Sequence, residues 1–532
     1  MMLVLRTGLI ATALAFAAFQ GMPRASAQDE SDQRLGHVHF DTSCNDVAQR
    51  RFDRAMRYQH SFWYREAREI YLDAAKADES CAITWWGVAL TYLDNPHNPI
   101  PDPNLAPGLA AIDKAVTIGA KSERERDYID ALALMYRDHA TRGHAQRIHA
   151  YLDAMEKLAA KYPVDDEAQI FYAITLNTSA SPTDKTYAQQ KKGAAILEPI
   201  WKREPQHPGI AHYLIHLYDY PALAADGLNA AKKYARIAPD APHAQHMPSH
   251  IFTRVGDWQD SIEANRRSAA AAVLSKEPAD GMHAGDYTVY AELQLGRDAD
   301  AAADIDAMGK IKGYSPKAFG AHFALAAARA RYMIERADWR GASQLAVQQT
   351  EFPQAMAITY FARALGAARS GQVDAAKGDL AKVLEMSEAL KAAKVGYWPS
   401  IVDIQYQVAN GWILDAEGKT VEALAAMRAA AEAEDKTEKA PVTPGPLAPA
   451  RELYGQMLLA HGKANEATEA FAATMAKEPN RFNGYLGAAQ AAAQRGDKAD
   501  AKANYQKLLA LTAGAGGDRK EIATAKAYVA SN

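Results

Sequence analysis

"ARELYGQMLLAHGKANEATEAFAATMAKEP", residues Ala450–Pro479, has the pattern of two helices joined by a tight turn. Small and apolar residues recur every three or four positions on both sides of Gly462. Pro479 ends the second run, because proline cannot continue a helix. A shift of 34 residues carries Gly455, Gly462, Ala467 and Phe471 onto Ala489, Gly496, Ala501 and Tyr505. The stretch therefore predicts consecutive helix pairs of fixed length.

This pattern resembles the tetratricopeptide repeat, in which small residues lie where paired helices touch, glycine makes the turn and proline closes the pair. Ala67 and Tyr71 occupy the second-helix positions near the N-terminus, and Pro205 and Pro239 are again 34 residues apart. The resemblance covers residues 49–511 and implies an all-α solenoid of helix-turn-helix repeats. It also implies that the first helix of each pair lines a concave groove.

Composition shifts and repeat boundaries divide the chain into seven segments. They are a signal peptide (1–27), an N-terminal repeat-like segment (28–94), a helical region opening with a proline-rich loop at 95–107 (95–204), a central solenoid with a histidine groove (205–433), a linker (434–449), a C-terminal repeat pair (450–511), and a capping helix with a tail (512–532).

The N-terminal segment has the features of an export signal. Arg6 precedes a short apolar run, and "ASA" (Ala25–Ala27) is typical of a cleavage site. We therefore expect a cleaved signal peptide and a periplasmic or secreted product. No later run of 18 apolar residues predicts a membrane span. The chain carries 60 basic and 64 acidic residues, a net charge of −4, which argues against a nucleic-acid partner.

Cys44 and Cys81 are the two cysteines of the chain. Export to an oxidising compartment favours a disulfide between them. The alternative is a pair of separate buried thiols.

Seven of the 16 histidines lie between residues 207 and 283. "HYLIH" (His212–His216) and "HMPSH" (His246–His250) repeat one spacing 34 residues apart. Alignment on the repeat turns adds His243, His283, Asp286 and Tyr290 to the same helical face. The interval is the repeat length, so these side chains should face one channel from three adjacent helices.

Imidazole and carboxylate groups in this pattern suit a transition-metal ion, namely zinc, copper, iron or nickel. The predicted ligands are His212, His216, His246, His250, His283 and Asp286. The predicted neighbours, which either orient ligands or line the groove, are Asp219, His243, Tyr287 and Tyr290. The alternative is that these histidines only hydrogen-bond a partner peptide or one another.

Three functional hypotheses follow. The first is an exported solenoid that binds a transition metal, the cofactor being zinc, copper or iron. The second is a metal-free scaffold that binds a protein or peptide partner in the groove. The third is a metalloenzyme in which Tyr287 or Tyr290 assists an ion, although the sequence identifies no catalytic residue. The sequence contains no Gly-x-Ser-x-Gly, phosphate-loop or His-Glu-x-x-His motif.

Overall fold

The computed structural model describes residues 34–516 and 519–531, and in these ranges the chain is helical without strands. The first half contains α1 Asp46–His60, α2 Tyr64–Ala77, α3 Ile83–Thr91, α4 Asp102–Ile118, α5 Glu123–Ala133, α6 His144–Lys161, α7 Asp166–Ser179, α8 Ala188–Arg203, α9 Pro208–Tyr218, α10 Leu228–Ile237, α11 Pro242–His246, α12 Pro248–Val255 and α13 Trp258–Ser275. The second half contains α14 Pro278–Gln294, α15 Asp298–Lys310, α16 Phe319–Glu335, α17 Trp339–Ser343, α18 Pro353–Arg369, α19 Val373–Ala392, α20 Trp398–Ala416, α21 Thr420–Asp435, α22 Ala450–Ala460, α23 Ala464–Lys477, α24 Phe482–Gln494, α25 Lys498–Leu511 and α26 Lys520–Ser531.

The helices pack as successive antiparallel pairs, most regularly at the C-terminus, where α22–α23 and α24–α25 form two hairpins. Gly462 and Gly496 take left-handed turns with φ of 72° and 79°, a conformation that glycine adopts at no steric cost. The Phe471 ring lies so close to Gly455 and Gly487 that a β-carbon would meet it at 3.0 Å and 2.2 Å. The predicted all-α, tetratricopeptide-like solenoid is confirmed.

The N-terminal segment packs on the first repeats as an extended chain. The Phe40 ring lies 5.2 Å from Phe52 and 5.6 Å from Trp86, measured between ring centroids. A disulfide joins Cys44 to Cys81, the residue that precedes α3 by two positions, so the predicted pairing is present in the structure.

The solenoid folds back on itself. The Trp258 indole donates to the Asn480 carbonyl at 2.7 Å, which joins α13 to the turn before α24. Arg519, ahead of α26, pairs with Asp298 at the start of α15 at 2.6 Å. The C-terminal hairpins therefore pack against the middle of the chain.

The structure differs from two sequence expectations. The proline-rich loop is shorter than 95–107, because Pro103 fits the first turn of α4, which begins at Asp102. The expected linker is not a spacer. Residues 436–449, here called the strap, run through the concave side, and the Lys439 side chain is only 3% exposed.

The expected signal peptide, residues 1–27, lies outside the described residues. In the described part of the chain, we find no helix that combines the length and apolar character needed to cross a membrane.

Candidate metal centre

Four short helical stretches bring the histidine pairs together. Helices α9, α11 and α14 begin at Pro208, Pro242 and Pro278, each in the first turn, where a missing N–H costs nothing. Pro248 separates α11 from α12 for the same reason, since it cannot donate to the preceding turn. Contacts of α9 with α12 and of α11 with α14 place these helices side by side.

The first centre consists of His212, His216 and His243. The His212 Nε2 atom lies 3.1 Å from Nε2 of His216 and 3.1 Å from Nε2 of His243. His212 Nδ1 lies 2.7 Å from the His60 carbonyl, and an N–H is needed to donate to that oxygen. The neutral His212 ring therefore turns an Nε2 lone pair toward the other two rings.

The second centre consists of His246, His250 and His283, whose nearest ring nitrogens all lie within 4.8 Å of one another. The Nε2 atoms of His246 and His250 are 3.0 Å apart. His283 packs against His246 with a centroid separation of 4.3 Å. Its Nδ1 is buried without a hydrogen-bond partner among the described residues.

Two acceptors fix the ring tautomers of the second centre. His246 Nδ1–H donates to Asn265 Oδ1 at 2.6 Å, and Asn265 Nδ2 donates to the Ser261 carbonyl, which sets the amide orientation. His250 Nδ1–H donates to Asp219 Oδ2 at 2.8 Å. Both rings therefore turn Nε2 lone pairs toward each other. Such a contact is repulsive unless a cation lies between the nitrogens.

The two centres adjoin. The rings of His216 and His250 are 6.1 Å apart, and those of His243 and His246 are 6.2 Å apart. His97, from the loop between α3 and α4, packs on His216 at 4.1 Å. Its Nε2 is buried and, in the described ranges, has no hydrogen-bond partner. Seven imidazoles thus form one continuous cluster.

Burial keeps these rings uncharged. Burial lowers the pKa of His212 and of His283 to about 3 and that of His97 to about 4. Burial, and then the neighbouring imidazoles, hold the pKa of His216, His243 and His246 well below the usual range. Neutral imidazole is the form that ligates metal ions.

A charged layer surrounds Asp219. Burial opposes its ionisation, but Lys439 and Arg254 outweigh burial and hold the pKa of the carboxyl well below its usual range. Lys439 Nζ lies 2.7 Å from Asp219 Oδ2, and Arg254 Nε donates to Oδ1 at 2.9 Å. The carboxylate that orients His250 is therefore held by a cation from the strap and a cation from α12.

The structure brings together five of the six predicted ligands and separates the sixth. Asp286 turns away to Arg331, with Oδ1 3.3 Å from Nε, and burial raises the pKa of its carboxyl to about 6. Tyr290 also points away, because its hydroxyl accepts from Arg481 at 2.7 Å. Tyr287 stays at the cluster, with Oη 3.4 Å from His250 Nε2 and 3.0 Å from two strap carbonyls.

Sequence reasoning placed His243 only among the neighbours and left out His97, Asn265 and Lys439. His243 occupies the repeat position of His283, which is a signal that could have ranked it as a ligand. The other three come from a loop, a second helix and the strap. None of these follows the first-helix register.

A separate buried triad lies on the N-terminal side. Glu167 is within hydrogen-bond distance of His60 Nε2 at 3.1 Å and of His207 Nε2 at 2.9 Å. Tyr213 Oη lies 3.0 Å from the remaining His60 nitrogen. Because both carboxylate oxygens have ring-nitrogen partners, this triad is satisfied without an ion.

No protein-family model matches the sequence, and neither does any curated protein. Among solved structures, the chain is similar to a human IFIT1 dimer with m7Gppp-AAAA, at 12% identity over 92% of this chain and 100% of that one, with a TM-score of 0.39. Yeast Tom70 gives 12% identity over 92% and 96%, with a TM-score of 0.33. An APC/C hetero-tetramer, Cut9–Hcn1, gives 11% over 91% and 89%, with a TM-score of 0.32. At these scores the fold assignment rests on the helix pairs themselves.

Proposed function

We propose that this chain is an exported helical-repeat protein that binds transition-metal ions, zinc, copper or iron, at the two adjacent three-histidine centres. One observation carries the proposal: the Nε2 atoms of His212, His216 and His243 converge at 3.1 Å, and those of His246 and His250 at 3.0 Å. Imidazole nitrogens bound at about 2.0–2.1 Å to one ion lie roughly 3 Å apart.

The surroundings of the rings support this assignment. A carbonyl, an amide and a carboxylate hold the Nδ1–H groups of His212, His246 and His250, which leaves each Nε2 free to ligate. Such outer partners are typical of metal-binding histidines. A proton between the rings would satisfy the same contacts, but the lowered pKa values oppose it.

Export is part of the proposal. It rests on the signal-like residues 1–27 and gains support from the Cys44–Cys81 disulfide, a bond that persists in oxidising compartments.

The test is metal analysis of protein purified without a histidine tag and then titrated with Zn²⁺ or Cu²⁺. We expect two ions per chain. His216→Ala should remove the ion of the first centre and His250→Ala that of the second, with the helix content unchanged. The matched control is His149→Ala, an exposed position on α6. A His216→Ala/His250→Ala double variant that keeps its full metal content would overturn the proposal.

A second candidate, a partner-binding scaffold, is favoured by the strap. Arg331 donates to the carbonyls of Gly445 and Pro446, so the groove already holds an extended segment by its backbone. A protein partner captured equally by the wild type and by the double histidine variant, both in chelator, would favour this function over metal binding.

A further inference from the structure

A cavity lies beside the first centre, between the loop that carries His97 and helices α6, α7 and α9. It contains about 560 Å³ of empty space, counting the part that is open to solvent. Leu93 and Pro96 form its loop side, and Ile148 and Ile174 form part of its helical side. Its walls are mainly apolar, as in most small-molecule sites.

Aromatic side chains dominate the lining: Phe62, Tyr64, Tyr151, Phe171 and Tyr213. Phe62 is a wall shared with the first centre, because its ring also lies 4.3 Å from His212, 5.7 Å from His216 and 5.2 Å from His243. The Phe62 backbone is in the left-handed region with φ of 56°, which is strained for a bulky residue. Strain of this kind clusters at ligand sites, where packing holds the residue in place.

Two polar atoms in the lining have no partner in the described part of the chain. The Gln59 side-chain oxygen and the Tyr64 hydroxyl are both buried and make no hydrogen bond. Gln59 is only 5% exposed, so solvent does not readily supply the missing donor. A buried acceptor left unpaired costs free energy, and a bound O–H or N–H group would recover it.

Charge narrows the class of ligand further. Among the described residues that line the cavity, Asp94 alone carries a formal charge, since burial and then Arg147 lower the pKa of His144. Asp94 lies on the loop side, away from Gln59 along the chain. The walls therefore suit an uncharged ring system.

We propose that this cavity binds a small aromatic molecule bearing an O–H or N–H group. The ring packs among the aromatic side chains, the polar hydrogen is donated to Gln59 Oε1, and the Tyr64 hydroxyl provides a second hydrogen-bonding partner. Phenol and toluene are suitable probes, because they share the ring and differ in the hydroxyl group.

The test uses chelator-treated full-length protein, with each probe titrated by calorimetry and by ligand-observed NMR. Phenol should bind more tightly than toluene. Gln59→Leu should weaken phenol binding by about threefold to tenfold, the loss expected for one hydrogen bond, and leave toluene unchanged. Gln506→Leu, at an exposed position on α25, is the matched control.

Thr178→Trp, which places an indole in the cavity, should abolish binding of both probes, and melting curves establish that each variant is folded. Equal affinities of phenol and toluene for the wild type, or an unchanged phenol affinity in folded Gln59→Leu, would overturn the proposal. Because the protein is metal-free in this assay, failure here is distinct from failure of the metal titration.

Discussion

At the scale of single residues, the histidines of the two centres differ in the group that holds the ring. His212 donates to a backbone carbonyl, His246 to an amide and His250 to the Asp219 carboxylate. A carboxylate makes the ligating nitrogen more basic than a neutral acceptor does. Lys439 and Arg254 draw on the same carboxylate and reduce that effect.

Asp219→Asn should therefore weaken Zn²⁺ binding at the second centre by about 10- to 100-fold, the usual effect of losing such a partner. Lys439→Met should not weaken it, because the carboxylate stays and a competing cation is removed. Competition against a chromophoric chelator measures both affinities. Equal affinities of the wild type and Asp219→Asn would show that the carboxylate does not tune this ligand.

Glu292 offers a pH test outside the cluster. Its side chain is buried, and burial, followed by Asp304, raises the pKa of its carboxyl to about 8 despite Arg266 at 2.8 Å. A carboxyl with a raised folded pKa contributes stability below its unfolded value of 4.5 that is lost as pH rises through about 8.

Glu292→Gln should thus match the wild type in free energy of unfolding at pH 5. At pH 9 it should exceed the wild type by about 1–3 kcal/mol. Urea unfolding at both pH values is the measurement, with the exposed Glu385→Gln as the control. A difference that does not change between pH 5 and pH 9 would contradict this assignment.

At the scale of elements, the strap is the segment that least resembles a repeat. Arg331 of α16 holds it through the Thr443 hydroxyl at 2.7 Å and the carbonyls of Gly445 and Pro446. Tyr397 of α20 donates to the Glu438 carbonyl at 2.8 Å. Side chains of first helices thus satisfy the polar backbone of an irregular buried segment.

Arg331→Met should release the strap, because several charge-assisted hydrogen bonds disappear together. Trypsin should then cut after Lys439 several times faster than in the wild type, as followed by mass spectrometry. Arg329→Met on the same helix is the control. If the two variants are cut at equal rates, Arg331 does not hold the strap.

At the scale of the whole molecule, Arg481 joins distant parts of the array. It is fully buried and pairs with Glu335 of α16 at 2.6 Å and with Glu452 of α22 at 2.8 Å. Its third contact, at 2.7 Å, is the Tyr290 hydroxyl of α14. This side chain links the C-terminal hairpins to the middle of the solenoid.

Arg481→Met should lower the free energy of unfolding by about 3–5 kcal/mol, because it leaves two carboxylates buried without their cation. Chemical denaturation compares it with Arg495→Met, whose ion pair is partly exposed. If the two variants lose similar stability, the C-terminal hairpins do not depend on this network.

The sequence by itself determined the repeat and its consequence. A period of 34 residues places His212 and His216 in register with His246 and His250, because equivalent positions of stacked helices share one face. The same rule predicted Asp286 in the channel, yet the structure turns it to Arg331. Register selects a helical face, whereas the direction of a side chain depends on what packs opposite it.

The tertiary structure alone decided the rest of the cluster. His97 arrives from a loop, Asn265 from a second helix and Lys439 from the strap, and none of these positions repeats along the chain. Local periodicity reports which residues share a helical face. It carries no information about contacts between residues some 220 positions apart, such as Asp219 and Lys439, which form because the solenoid curves back and burial pairs opposite charges.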